Sequence, residues 1–124
     1  MASVEYLSLE DLLEIGHALI PELRVRDLGL LESASQRPQM SVYGEDAYPE
    51  FAEKVASLMH SIARNHSLMD GNKRLAWSGG RIFCLMNNKD LKMDIDDAEK
   101  LILEIARGEI DVKEIAERIS GNIR

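Results

Sequence analysis

The chain has 124 residues, 45% of them hydrophobic and 30% charged, and a formal net charge of −7 from 22 acids and 15 bases. That length suits one domain, 1–124, with one core, and so acidic a chain repels a phosphate backbone, which argues against direct nucleic-acid binding. No apolar run nears the roughly 18 residues of a membrane span, Met1-Ala2-Ser3-Val4-Glu5 lacks the basic and apolar segments of a secretory signal, and the lone Cys84 excludes an intrachain disulfide; a reducing cytoplasm fits.

Helical periodicity runs almost throughout. Ser8 reads as an N-cap with Asp11 at the capping-box position, and Leu9, Leu12, Leu13 and Ile20 form an apolar stripe that exits at Pro21. Asp27 can cap a shorter helix carrying Leu28, Leu31 and Ala34, stopped near Pro38. Residues 39–48, with Gly44, Glu45 and Asp46, read as a loop. A long helix follows. Pro49 fits its first turn, Phe51, Val55, Leu58, Met59 and Ile62 recur at 3–4-residue spacing, and its end is expected near Asn65.

A second long helix is predicted from Asn72, with Leu75, Ala76, Gly79, Ile82, Phe83 and Met86 buried. Gly79-Gly80 costs about 1 kcal/mol of helix propensity per glycine, which tight contact with a neighbouring helix would offset. Cys84 reads as a small buried hydrophobe. After the turn-like stretch 87–95, Asp94 or Asp96 caps a helix to about Arg107, with Gly108 beyond its end. Asp111 and Glu114 open a last one with Val112, Ile115, Ala116 and Ile119 apolar. The expected fold is all-α, a compact arrangement of about six helices with no convincing strand, crossing at many angles rather than as a regular four-helix bundle.

Chemistry concentrates in Asn65-His66-Ser67-Leu68-Met69-Asp70-Gly71-Asn72-Lys73-Arg74, between the two long helices. A plain connection needs only a few turn residues. Gly71 permits backbone conformations in which amide N–H groups converge on one anion. The first N–H groups of the next helix are unpaired and partially positive. Lys73 and Arg74 add charge, and an Arg grips phosphate oxygens bidentately. Asp70 suits a magnesium ion that is itself bound to phosphates. His66 can take a proton from an attacking hydroxyl. Base, metal ligand and anion cradle are the parts of phosphoryl or nucleotidyl transfer. Each part alone also has an ordinary explanation: a histidine before a turn, an Asp-Gly-Asn turn and N-cap, a solvated Lys-Arg pair.

His66 to Arg74 resembles the Fic/Doc signature, H-x-F-x-[DE]-[AG]-N-[GK]-R, and Lys73, where Fic enzymes have glycine, resembles the Doc branch. The resemblance extends to Arg26-Asp27-Leu28-Gly29-Leu30-Leu31-Glu32-Ser33-Ala34, Arg37-Pro38, Tyr48-Pro49 and Lys54. It implies a Fic fold. It also implies that His66 is the base, that Asp70 holds Mg2+, and that Gly71, Asn72, Lys73 and Arg74 bind the ATP phosphates. In the Doc branch it further implies a toxin kinase: the γ-phosphate goes to elongation factor Tu, translation stops, and a Phd-type antitoxin folds its C-terminal segment onto the toxin. Two alternatives stay open, a Fic-type adenylyltransferase, against which Lys73 argues, and a non-catalytic translation inhibitor. Leu68 replaces the signature's aromatic, and Leu75 stands where many Doc proteins have threonine.

Outside the signature, His17 and His60 read as structural or exposed, and Arg64 and Asn65 read equally as caps or ligand contacts. Trp77 reads as core ahead of nucleotide stacking, and Tyr43 and Tyr48 are candidates to line a target groove. No Glu is followed by Gly or Asn, so the [ST]-x-x-x-E-[GN] brake of self-inhibited Fic proteins is missing.

Overall fold

Among the described residues six α-helices form where apolar residues recur, and the side chains of Ser8, Asp27 and Asp111 cap the start of three of them. The computed structural model describes residues 3–124. Helix α1 is Leu9–Leu19, opened by a reciprocal capping box between Ser8 and Asp11. Helix α2 is Leu28–Gln36, with the Asp27 carboxylate accepting from the Leu30 amide at 3.0 Å, and a single 3-10 turn carries the chain past Pro38. Helices α3 (Phe51–Asn65), α4 (Asn72–Met86), α5 (Ile95–Ala106) and α6 (Val112–Ser120) complete the set. Gly108, at φ 75°, ends α5 in the left-handed conformation that glycine adopts without strain. No helix among the described residues is long and apolar enough to cross a membrane.

Helix α3 is the axis of the molecule. It contacts α2, α4, α5 and α6, and Val55, Ala56, Leu58, Met59 and Ile62 are fully enclosed. Burial of each large apolar side chain contributes about 1.5–3 kcal/mol. Phe83 of α4 sits between the Tyr6 and Phe51 rings, with centroids 5.9 and 5.3 Å away. A β carbon on Gly80 would lie 2.8 Å from Met59 Cγ, so this glycine lets α4 approach α3; one on Gly79 would make only ordinary contact, at 3.6 Å from Ile62 Cδ1. Cys84 is buried, and burial pushes its thiol pKa up to about 11, which leaves it inert.

Four expectations are corrected. Pro49 lies before α3, whose N-cap is Glu50, with the Glu50 amide donating to Glu53 Oε1 at 3.0 Å. Asp94 is the N-cap residue of α5, but its side chain makes no capping bond. Ile82 and Met86 face outward, more than a third exposed, while Gly80 and Cys84 take the buried positions. The stretch 39–48 contains a small antiparallel hairpin, β1 (Ser41–Val42) with β2 (Glu45–Asp46). Its turn residues Tyr43 and Gly44 both have positive φ, as a tight two-residue hairpin turn requires.

Candidate active site

The loop between α3 and α4 is held by backbone pairing with the segment before α2. Arg26 and Asp27 amides both donate to the Ser67 carbonyl, at 2.8 and 3.0 Å, and the Met69 amide donates to the Arg24 carbonyl at 2.9 Å. Val25 and Leu68 form the antiparallel bridge between the two segments. Leu68 is buried and anchors the loop in the core, as the signature's aromatic would. Asn72 completes the frame: its Nδ2 donates to the Leu68 carbonyl and its Oδ1 accepts from the Leu68 amide, both at 3.0 Å. The Asn72 oxygen and one of its two N–H groups are thus engaged inside the loop, and the side chain clamps the frame.

His66 ends α3 with φ 50° and ψ 44°, in the left-handed region. Glycine or asparagine usually fills that place, and a residue with a β carbon costs about 1–2 kcal/mol there. The surroundings hold it. The Arg26 guanidinium donates to the His66 carbonyl from Nε at 2.7 Å and to the Asn65 carbonyl from Nη2 at 3.4 Å. A cation on the last carbonyls of a helix also meets the negative end of its dipole. The His66 side chain itself is exposed.

At the other end of the loop Gly71, at φ 90°, is the N-cap of α4, and no side chain caps that helix start. The first amides of α4 are therefore left without a capping carboxylate or hydroxyl. A β carbon at Gly71 would lie 2.4 Å from Ile20 Cδ1, so the alanine the signature allows here requires the Ile20 methyl to move. Asp70 Oδ1 accepts from the Gly71 amide at 2.9 Å, leaving Oδ2 facing solvent. Lys73 and Arg74 are exposed, and Arg74 donates to the Leu19 carbonyl at the end of α1 at 3.3 Å. One loop thus presents an imidazole, a carboxylate with a free oxygen, an open helix N-terminus and two cations. Among the described residues no group of three His, Cys, Asp or Glu side chains gathers to hold a metal. The donor set fits Mg2+, which takes one or two carboxylates and completes its shell with phosphate oxygens and water.

A cleft of about 710 Å³ lies between α4 and α5 beside the loop. Trp77, Leu91, Met93 and Ile102 supply apolar walls, Lys73, Arg74, Arg81 and Lys92 supply cations, and Glu99 is its one acid. His66 and Asp70 stand outside it. Trp77 is half-buried, packing on the core while also lining the cleft.

The remaining candidates are placed as follows. His17 is exposed. His60 Nδ1 lies 2.9 Å from Arg37 Nη1, and burial first, then the Arg37 and Arg64 charges, push its pKa below the usual value. Arg64 donates to the Ala106 carbonyl at 3.0 Å, capping α5. Tyr48 accepts from Arg37 Nε at 2.9 Å, and Tyr43 is fully exposed at the hairpin tip. Sequence reasoning names Arg26 only within the stretch that carries the family resemblance and assigns it no role; its hold on the Asn65 and His66 carbonyls is visible only in the fold.

The signature and the segment that braces it both fall within residues 6–84, which match the model of the Fic/DOC family. The chain belongs to the Fic/DOC family. It is also 48% identical over 120 residues to Toxin Doc of Mycolicibacterium smegmatis (strain ATCC 700084 / mc(2)155), a match covering 94% of this chain and 92% of that protein. The helical fold with one small hairpin is consistent with a Fic fold, and the Fic/DOC match includes the whole loop from His66 to Arg74.

Proposed function

We propose that this protein is the toxin of a toxin–antitoxin module and acts as an ATP-dependent protein kinase on elongation factor Tu, stopping translation. The observation that carries the reading is the single exposed loop in which His66, Asp70, the uncapped start of α4, Lys73 and Arg74 stand together. The likeness to a Toxin Doc over nearly the whole chain supports the toxin role.

In the proposed reaction the amides following Gly71 and the Lys73 and Arg74 side chains bind the ATP phosphates. Arg74 leaves the Leu19 carbonyl to do so, exchanging one neutral acceptor for a charged one. The Asn72 side chain serves by keeping the loop in shape; its contribution to phosphate is its backbone amide. Mg2+, held through the free oxygen of Asp70, would neutralise charge on the phosphates. His66 accepts the proton of the target hydroxyl as the hydroxyl oxygen bonds to the γ-phosphorus and the bond to the β–γ bridging oxygen breaks, giving phosphoprotein and ADP.

Lys73 favours the γ-phosphate over AMP transfer, because it puts a side-chain cation where Fic enzymes leave space at a glycine. Reactions with ATP labelled on the γ- or the α-phosphate test this. Label from γ alone on elongation factor Tu is the expected result. Label from α would make the protein an adenylyltransferase. No label from either, with translation still blocked, would make it a non-catalytic inhibitor.

Inhibition is then supplied in trans by a Phd-type antitoxin, since the chain lacks the Fic brake motif. The cleft between α4 and α5 suits an acidic amphipathic segment of such a partner, with apolar walls and, besides Arg81, which is paired with Asp90, the cations Lys73, Arg74 and Lys92 in a chain of net charge −7. The module would operate in the cytoplasm, where ATP and the translation factor are found.

A further inference from the structure

The base of this reaction stands on a backbone that its own residue type disfavours. His66 has a β carbon, yet occupies the left-handed region at the end of α3. On its C-terminal side Ser67 and Leu68 are fixed by backbone pairing with Val25, Arg26 and Asp27. Between that pairing and the last turn of α3, one side chain reaches the peptide groups on which the imidazole rides. Arg26 holds the carbonyl of His66 at 2.7 Å and that of Asn65 at 3.4 Å. Its charge is not used elsewhere: among the described residues no ion pair includes Arg26.

We propose that Arg26 is the positioning residue for His66. By gripping the carbonyls of the two peptide groups that flank the His66 Cα, it selects the left-handed conformation and so fixes where the imidazole points. It does this without touching the phosphate cradle, which lies at the far end of the loop on α4. A lysine offers a compact ammonium on a flexible stem in place of a rigid planar fork, so it should restore part of the effect. The inference rests on the reading of His66 as the base, but its structural half stands independently.

The test uses the whole chain as wild type, Arg26→Ala and Arg26→Lys, with thermal melting to establish that each variant is folded. In isotope-labelled protein, the Cα and Cβ resonances of His66 report its backbone region with no reaction running. They should move toward extended values in Arg26→Ala, and by less in Arg26→Lys, while those of Lys73 and Trp77 stay in place. In the labelled-ATP reaction, Arg26→Ala should lower kcat about 10- to 100-fold, the scale of an ångström-sized misplacement. The Kd for Mg-ATP should stay within about twofold, and Arg26→Lys should recover part of kcat. Unmoved His66 resonances in folded Arg26→Ala would overturn the proposal, as would a loss that falls on ATP binding instead of kcat. If the wild type transfers no label, the kinase reading fails while the His66 resonances still decide whether Arg26 sets the conformation.

Discussion

The two ends of α3 each use a cation, in opposite ways. At the start, Lys54 is buried; its ammonium donates to Asp46 Oδ2 at 3.1 Å and to the Tyr48 carbonyl at 2.5 Å, tying the hairpin to the helix. At the finish, Arg26 lies on the surface and grips two carbonyls around an exposed histidine in a disfavoured conformation. The first arrangement joins two elements and depends on burial. The second leaves its imidazole free to solvent and tolerates strain in return. One helix therefore has an end built for cohesion and an end that keeps a reactive group available.

Substitutions at each end should separate those tasks. The largest effect is expected at the exposed end: His66→Ala should lower phosphotransfer by about 10²- to 10⁴-fold, the usual worth of a positioned base, with no fall in Tm. A parallel fall in Tm would show that the histidine holds the structure together, and the contrast would collapse. At the buried end, Lys54→Met should cost about 1–3 kcal/mol of stability, less than a fully enclosed pair because Asp46 is 58% exposed. Urea titration would measure this, and hydrogen exchange at the hairpin amides should rise with it.

A smaller change sharpens the comparison from the other side. His66→Gly removes the β carbon from the left-handed position and should raise stability by up to about 1 kcal/mol while abolishing transfer. A loss of stability would mean that His66 makes packing contacts its exposure does not suggest. The smallest effect concerns His60, in the middle of the helix. Burial and the neighbouring Arg37 and Arg64 charges hold its pKa below the usual 6.5, with Asp111 opposing. The unfolded chain therefore takes up this proton more readily. Stability from the neutral ring is complete above pH 6.5 and declines as the pH falls below it toward the folded value. The slope of Tm against pH in that window should flatten in His60→Gln.

What the sequence disclosed depended on the range of each interaction. The Ser8, Asp27 and Asp111 caps bond to amides three residues on, so each was legible where it stood. The polar loop between two apolar helices was legible too, because its composition breaks their period. The hairpin escaped because two-residue strands are too short to show alternation and Tyr43-Gly44 is not a strong turn pair. Pro49 was placed inside the helix because Glu50, an uncommon N-cap, takes that position with help from Glu53. Ile82 and Met86 matched the helical period, yet α4 turns that stripe outward and buries Gly80 and Cys84 against its neighbours. The grip of Arg26 on His66 spans 40 positions, and no local pattern marks it. The hold of Asn72 on Leu68 is a contact that only the folded-back loop creates, so its place in the signature does not reveal it.

The brace between residues 24–27 and 67–69 has a consequence for how the protein comes into being. Joining those segments closes a ring of about 40 residues, at a chain-entropy cost of about 3 kcal/mol beyond the constant for any closure. Nothing local repays that cost, so the ring closes only when α3 and α4 have docked and Leu68 has found the core. While the chain is still emerging from the ribosome, the histidine exists but its setting does not. On the proposed reading of His66 as the base, transfer can begin only after that ring has closed.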